Sequence, residues 1–135
     1  MAAVSSNRSE VLEKIFSLPL EFRLRPNISL LRLVENTGYA GCPDQIDVST
    51  IKQAIRGRHG LISIWFDYSR EKSENWGWFL EGPDDGIYLV GSRTRSVEMP
   101  YRIRNVEDAC AQFIKAELDA VLGRERHRPA GARGS

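Results

Sequence analysis

Cysteine and histidine are scarce. The 135-residue chain has two of each, at Cys42, Cys110, His59 and His127. Two cysteines make no disulfide framework. Cys110 lies in an apolar helical stripe, where a free thiol packs as a small hydrophobe, and Cys42 lies in a Gly-Cys-Pro turn. Both suit a reducing compartment, so a cytoplasmic location is expected. Scattered singly, these residues do not supply the about four ligands of a structural zinc site, or the paired nucleophile and base of a triad. His59 is expected at the Arg-His-Gly end of a helix, where the macrodipole favours a cation. No apolar run approaches the roughly 20 residues of a membrane span. Met1 to Ser9 lacks the charged start and apolar run of a secretory signal. No membrane partner is expected.

Phosphate-binding glycine loops are also missing. Gly82-Pro83-Asp84-Asp85-Gly86 lacks the alternating ligands and closing glutamate of a calcium loop. No metal, no cofactor and no catalytic residue is therefore expected. The paired acids Asp84/Asp85 and Glu107/Asp108 are expected to be structural. The first pair sits in a turn, and the second in a helix's first turn, where carboxylates stabilise.

Excess charge of either sign is absent. The chain has 19 basic and 18 acidic residues, a net +1, which disfavours a generic nucleic-acid binder. Hydrophobic residues make up 41% and charged residues 27%, ordinary globular usage. The length fits one domain. It is expected at 1–122, with a flexible basic tail at 123–135. The tail, GRERHRPAGARGS, has four arginines, one glutamate and three glycines. It is too polar to offset its ordering entropy. Without those five charges, 1–122 keeps 15 basic and 17 acidic residues, a net −2.

The patterning predicts an α+β fold: an antiparallel meander of about four to five strands with helices packed on one face. Val11, Leu12, Ile15 and Phe16 recur at helical spacing in a first helix capped near Asn7 or Ser9 and ended by Pro19. A second helix opens at Asp47 or Ser49 and stops at Gly57 or Gly60. A third follows Asn105, with Val106, Ala109, Cys110, Phe113, Ile114 and Leu118 as its stripe. Strands are predicted at 28–35, 61–68, 76–81, 87–90 and 97–104, with 20–24 a short strand or extended lead-in. Pro100 lacks an N–H, which places the last strand at a sheet edge. The Gly82–Gly86 segment is expected to form a hairpin turn. Trp76 and Trp78, two apart, share a strand face with Leu80.

Charge is unevenly spread. From 67 to 85 the acids Asp67, Glu71, Glu74, Glu81, Asp84 and Asp85 face only Arg70 and Lys72. From 93 to 104, Arg93, Arg95, Arg102 and Arg104 face only Glu98. Cross-strand pairing on a solvated sheet is one account; a polarised recognition surface is the other. Core packing is the plain reading of Trp76 and Trp78, and exposure beside the acidic loop would make them interface anchors.

A first helix, a compact meander with a Trp76-Gly77-Trp78 strand, an acidic loop and hairpin, and a final amphipathic helix together form a layout over about 9–122. That layout resembles the small immunity proteins of bacterial toxin–immunity pairs, such as those of contact-dependent growth inhibition systems. The resemblance implies no catalysis. It implies a one-to-one complex in which the chain occludes a cognate toxin, often a nuclease. Asp67, Glu71, Glu74, Trp76, Trp78, Glu81, Asp84 and Asp85 are then the expected partner-binding residues, the acids acting as phosphate mimics toward a basic cleft. Two alternatives remain. One is a nucleic-acid-binding module using Arg93, Arg95, Arg102 and Arg104. The other is a small carboxylate-dependent enzyme.

Overall fold

The computed structural model describes residues 2–25, 27–71, 78–92 and 100–123, with side chains for all of these except 2–7, 83 and 84. Within them lie six α-helices and a three-stranded antiparallel sheet, an α+β architecture. Glu74, Trp76, Arg93 and Arg95 fall outside the described residues, as do 97–99 of the predicted last strand and nearly all of the predicted tail.

Among the described residues, the N-terminal half holds helices and no strand. Helix α1 (Ala2–Phe16) starts before the expected Asn7 or Ser9 cap. It buries Val11, Ile15 and Phe16. Pro19 does not simply end it. The chain breaks at Ser17 and resumes as α2 (Leu18–Leu24), with the proline in the first turn, where its missing N–H costs nothing. Residues 20–24 are thus helical rather than extended.

Residues 28–35 are also helical, against the strand prediction. Helix α3 (Leu30–Thr37) is capped by Ser29, whose Oγ accepts from the Arg32 N–H at 3.1 Å. It closes on Gly38 at φ +86, a left-handed position that glycine takes without strain. Leu33, Val34 and Thr37 form its buried face. Their spacing of one and three is helical and incompatible with a strand's alternation.

Two 3-10 turns (Tyr39–Gly41 and Pro43–Gln45) follow. Fully buried Tyr39 donates to Asp119 Oδ1 at 2.5 Å and accepts from Lys115 Nζ at 2.5 Å. Lys115 also donates to the Pro43 carbonyl at 2.7 Å, so both turns are fastened to the last helix. Helix α4 (Val48–Ile55) is capped by Asp47, as expected, through the Thr50 N–H at 2.8 Å. That bond holds the Asp47 carboxyl below its ordinary pKa.

The largest departure is at 61–68. This segment is not a strand but the core of α5 (His59–Glu71), which buries Ile62, Trp65, Tyr68 and Ser69. His59 accordingly opens a helix instead of ending one, and the macrodipole argument for a cation there reverses. Helix α6 (Val106–Val121) matches expectation. Asn105 caps it by accepting from the Asp108 N–H at 2.8 Å. Its buried face runs from Ala109 through Leu118 against α4, α5 and the sheet. Trp65 packs edge-on against Tyr68 and Phe113, with ring centroids 5.3 and 6.1 Å away.

Burial pushes the Cys110 thiol up from 9.0 to about 12. The fold favours the protonated form, so this contribution to stability is intact below pH 9 and lost as pH rises toward 12. Cys110→Ala is expected to flatten the alkaline limb of a stability–pH profile measured by urea unfolding between those values. An unchanged limb would assign the alkaline loss to other groups.

The sheet runs β1 (Trp78–Asp84), β2 (Ile87–Ser92), β3 (Tyr101–Ile103), a meander with β3 at the edge after Pro100. Among the described residues it has three strands where four to five are predicted. The hairpin is present, but its tip is Asp85-Gly86 with φ of +55 and +75. Both central residues are left-handed, the primed-turn geometry that Asp-Gly favours. Pro83 lies back in β1, where the register shifts between Glu81 and Asp84.

Trp78, Leu80 and Val90 are buried on the sheet face that meets α5 and α6. Trp78 also stacks on Tyr101, centroids 6.4 Å apart. Trp78 and Leu80 are therefore core, the plain reading of this strand. The outer N–H groups of β1 are closed off by helix side chains. Trp78 N–H donates to Glu117 Oε1 at 3.1 Å, and Leu80 N–H donates to Ser69 Oγ at 2.8 Å. Such an edge cannot template another strand at these two groups.

Phe79 lies on the opposite face, its ring over Gly91. A Cβ at Gly91 would sit 2.8 Å from the Phe79 ring and 2.9 Å from Pro100 Cβ. Gly91→Ala is expected to lower stability by about 1–3 kcal/mol through overpacking, read from the urea midpoint. A midpoint equal to wild type would show that this ring is free to move.

Candidate functional groove and acidic hairpin

Helix α5 sets one wall of a groove of about 300 Å3. Its side chains at His59, Ser63, Phe66, Asp67 and Arg70 recur every three or four residues, so they form one stripe along the helix. Gly82 and Tyr88 of the β1–β2 hairpin form the facing wall. Gly82 has φ +136, and a Cβ there would lie 3.0 Å from Tyr88 Cα. Only glycine lets the strand bend this close over Tyr88. The Phe66 and Tyr88 rings, both half-buried, meet with centroids 5.9 Å apart at 56°.

The acids predicted to bind a partner divide into two sets. Asp67 and the hairpin share this end of the molecule. Glu81 directly precedes Gly82, and Asp85 stands at the turn; both are exposed, and neither has an ion pair among the described residues. Asp67 and Glu71, by contrast, are already engaged by the chain's own arginines. Asp67 is paired with Arg70 three residues on. Glu71 takes Arg23 of α2 in a two-pronged contact, Nη2 to Oε2 at 2.6 Å and Nε to Oε1 at 3.3 Å. Both pairs are solvent-exposed, with side chains 39–66% accessible, so water and salt screen them and neither adds much to stability. Asp84 is placed in β1 by its backbone.

The arginine alternative finds less. Arg102 and Arg104 are exposed at and just after β3. The register puts Arg102 in one row with Leu89 and Glu81 across the sheet face away from the helices. The enzyme alternative's second carboxylate pair is occupied structurally. Glu107 accepts from the Gly57 N–H at 3.1 Å, and Asp108 faces Lys52 Nζ at 3.9 Å.

Three hollows bordering α1, of about 460, 410 and 400 Å3, are larger than this groove, and none of the sequence-predicted acids lines them. Among the described residues, no group of three or more His, Cys, Asp or Glu side chains is placed to hold a metal ion. No described helix is long and apolar enough to cross a membrane.

The chain matches no protein-family model, no curated protein and no solved structure.

Sequence reasoning missed the groove itself. With 61–68 read as a strand, Phe66 falls beside Ile62 and Ile64. In a helix it falls beside Ser63, Asp67 and Arg70. The signal was present in the polar spacing of Ser63, Asp67 and Arg70, which only a helical period gathers onto one side.

Proposed function

We propose that this chain acts by binding another protein, as an immunity protein that neutralises a cognate bacterial toxin in a one-to-one complex. The observation that carries the reading is the groove that brings Asp67 of α5 against Gly82 and Tyr88 of the β1–β2 hairpin, the hairpin that also carries the exposed Glu81 and Asp85. Aromatic rings in the wall beside a carboxylate at the rim are the composition of a recognition surface. The resemblance in layout supplies the class of partner. A nuclease is the favoured toxin, because its cleft is basic where phosphates bind, and carboxylates complement such a cleft.

The electrostatic part is carried by Glu81 and Asp85 first. Asp67 and Glu71 contribute only as far as the partner displaces Arg70 and Arg23. This makes the surface less acidic than the composition of 67–85 alone suggests.

The test is co-purification of the tagged chain from its native cells, followed by co-expression with its stoichiometric companion. The expected result is a 1:1 complex and relief of the companion's toxicity. A companion whose activity the chain leaves untouched would contradict the proposal.

A further inference from the structure

The groove also specifies what it takes. We infer that it receives an arginine side chain of the protein partner, seated between the Asp67 carboxylate and the rings of Phe66 and Tyr88; this deepens, and rests on, the reading that the chain binds a protein.

Three features converge on a guanidinium. The first is the wall. Phe66 and Tyr88 both line the groove, and the negative face of an aromatic ring attracts a cation. The second is the rim, where Asp67 offers two oxygens to a planar donor fork. An arginine can stack on the rings and bond the carboxylate together, which an ammonium's point charge does less well. The third is size. About 300 Å3 suits one long side chain and is too small for a helix. The hollows along α1 have no aromatic lining and make no such offer.

The chain's own chemistry points the same way. Arg70 lines the groove and pairs with Asp67. It is a resident guanidinium, its side chain 66% exposed and, among the described residues, ion-paired only with Asp67 on the same helix. The Arg70–Asp67 pair is local to one helix, so an incoming arginine that reaches both the carboxylate and the rings displaces Arg70 from Asp67 toward solvent.

The experiment is an NMR titration of the full chain with N-acetyl-arginine amide. Saturable amide shifts are expected at Ser63, Phe66, Asp67 and Tyr88. Uncharged N-acetyl-norleucine amide is expected to give none. Asp67→Asn and Phe66→Leu should each weaken binding by about threefold or more. Arg70→Ala should tighten it by about twofold or more, because the resident competitor is gone. This exposed substitution leaves the core intact and keeps the test valid even where Phe66→Leu perturbs folding. Equal responses to both amides, shifts elsewhere only, or indifference to Asp67→Asn and Arg70→Ala together would overturn the inference. These outcomes are separable from those of the functional proposal. An arginine site with no toxin partner would leave the groove's specificity standing, and a toxin complex with no arginine site would remove only the specificity.

Discussion

Glu117→Ala is expected to destabilise the protein by about 2–4 kcal/mol, the largest effect of any single substitution considered. Glu117 is fully buried in α6, yet its two carboxylate oxygens join three elements. Oε2 accepts from the Tyr68 hydroxyl of α5 at 2.8 Å, and Oε1 accepts from the Trp78 N–H of β1 at 3.1 Å. Alanine removes both of these acceptors and opens a void where α5, α6 and β1 meet. Burial and the Glu117 charge both hold the Tyr68 hydroxyl well above its ordinary pKa, so it stays a donor throughout the neutral range.

Glu117→Gln keeps the shape and one acceptor, and should cost less than alanine. Tyr68→Phe removes one bond and should cost about 1 kcal/mol. Urea unfolding of the two single variants and the double variant measures the coupling directly. A Glu117→Ala midpoint within error of wild type would mean that β1 is not fastened by this carboxylate. Because β1 leads into the hairpin, loss of the fastening should also loosen the groove's far wall.

The second large effect concerns binding. The triple variant Asp67→Lys/Glu81→Lys/Asp85→Lys is expected to weaken the partner complex by well over tenfold. Each change replaces attraction with repulsion at a basic surface, and the association rate should fall more than the dissociation rate rises. The wild-type on-rate should drop as salt increases, since exposed charges steer over roughly a Debye length of 8–10 Å. Glu71→Lys alone should do much less, because Arg23 already holds Glu71. Stopped-flow or surface plasmon resonance kinetics with the purified companion separate these terms. An unchanged Kd for the triple variant rejects the acidic surface as the interface.

The parts of the fold visible in the sequence are those set by local chemistry. Asp47 and Asn105 announce α4 and α6 because a side-chain oxygen must satisfy the first N–H groups of a helix. The hairpin is announced by Asp85-Gly86, since few residues accept two left-handed positions in succession. Trp78 and Leu80 are identifiable as core from their shared face.

What was illegible is instructive in the same terms. Residues 28–35, between Pro26 and Gly38, and 61–68, after Gly60, are short apolar runs, and composition alone does not separate a buried strand from a buried helix. Tertiary packing decides it. Trp65, Tyr68 and Phe113 form a cluster that needs α5 to be helical so that residues 65 and 68 meet α6 on one side. The site inherited that error. The sequence groups Asp67 and the hairpin acids only by nearness along the chain, whereas the groove is made by a helix stripe and a glycine bend that only a helical α5 juxtaposes. The engagement of Asp67 by Arg70 and of Glu71 by Arg23 could not be weighed either, because Arg23 comes from a segment read as extended.

The most direct measurement is hydrogen–deuterium exchange of the chain with and without its purified companion. Slowed exchange is predicted in peptides covering 59–70 and 80–89, the two walls of the groove, with α1 to α3 unchanged. Protection confined to α1, α2 and α3, with both walls exchanging as in the free protein, would contradict the account.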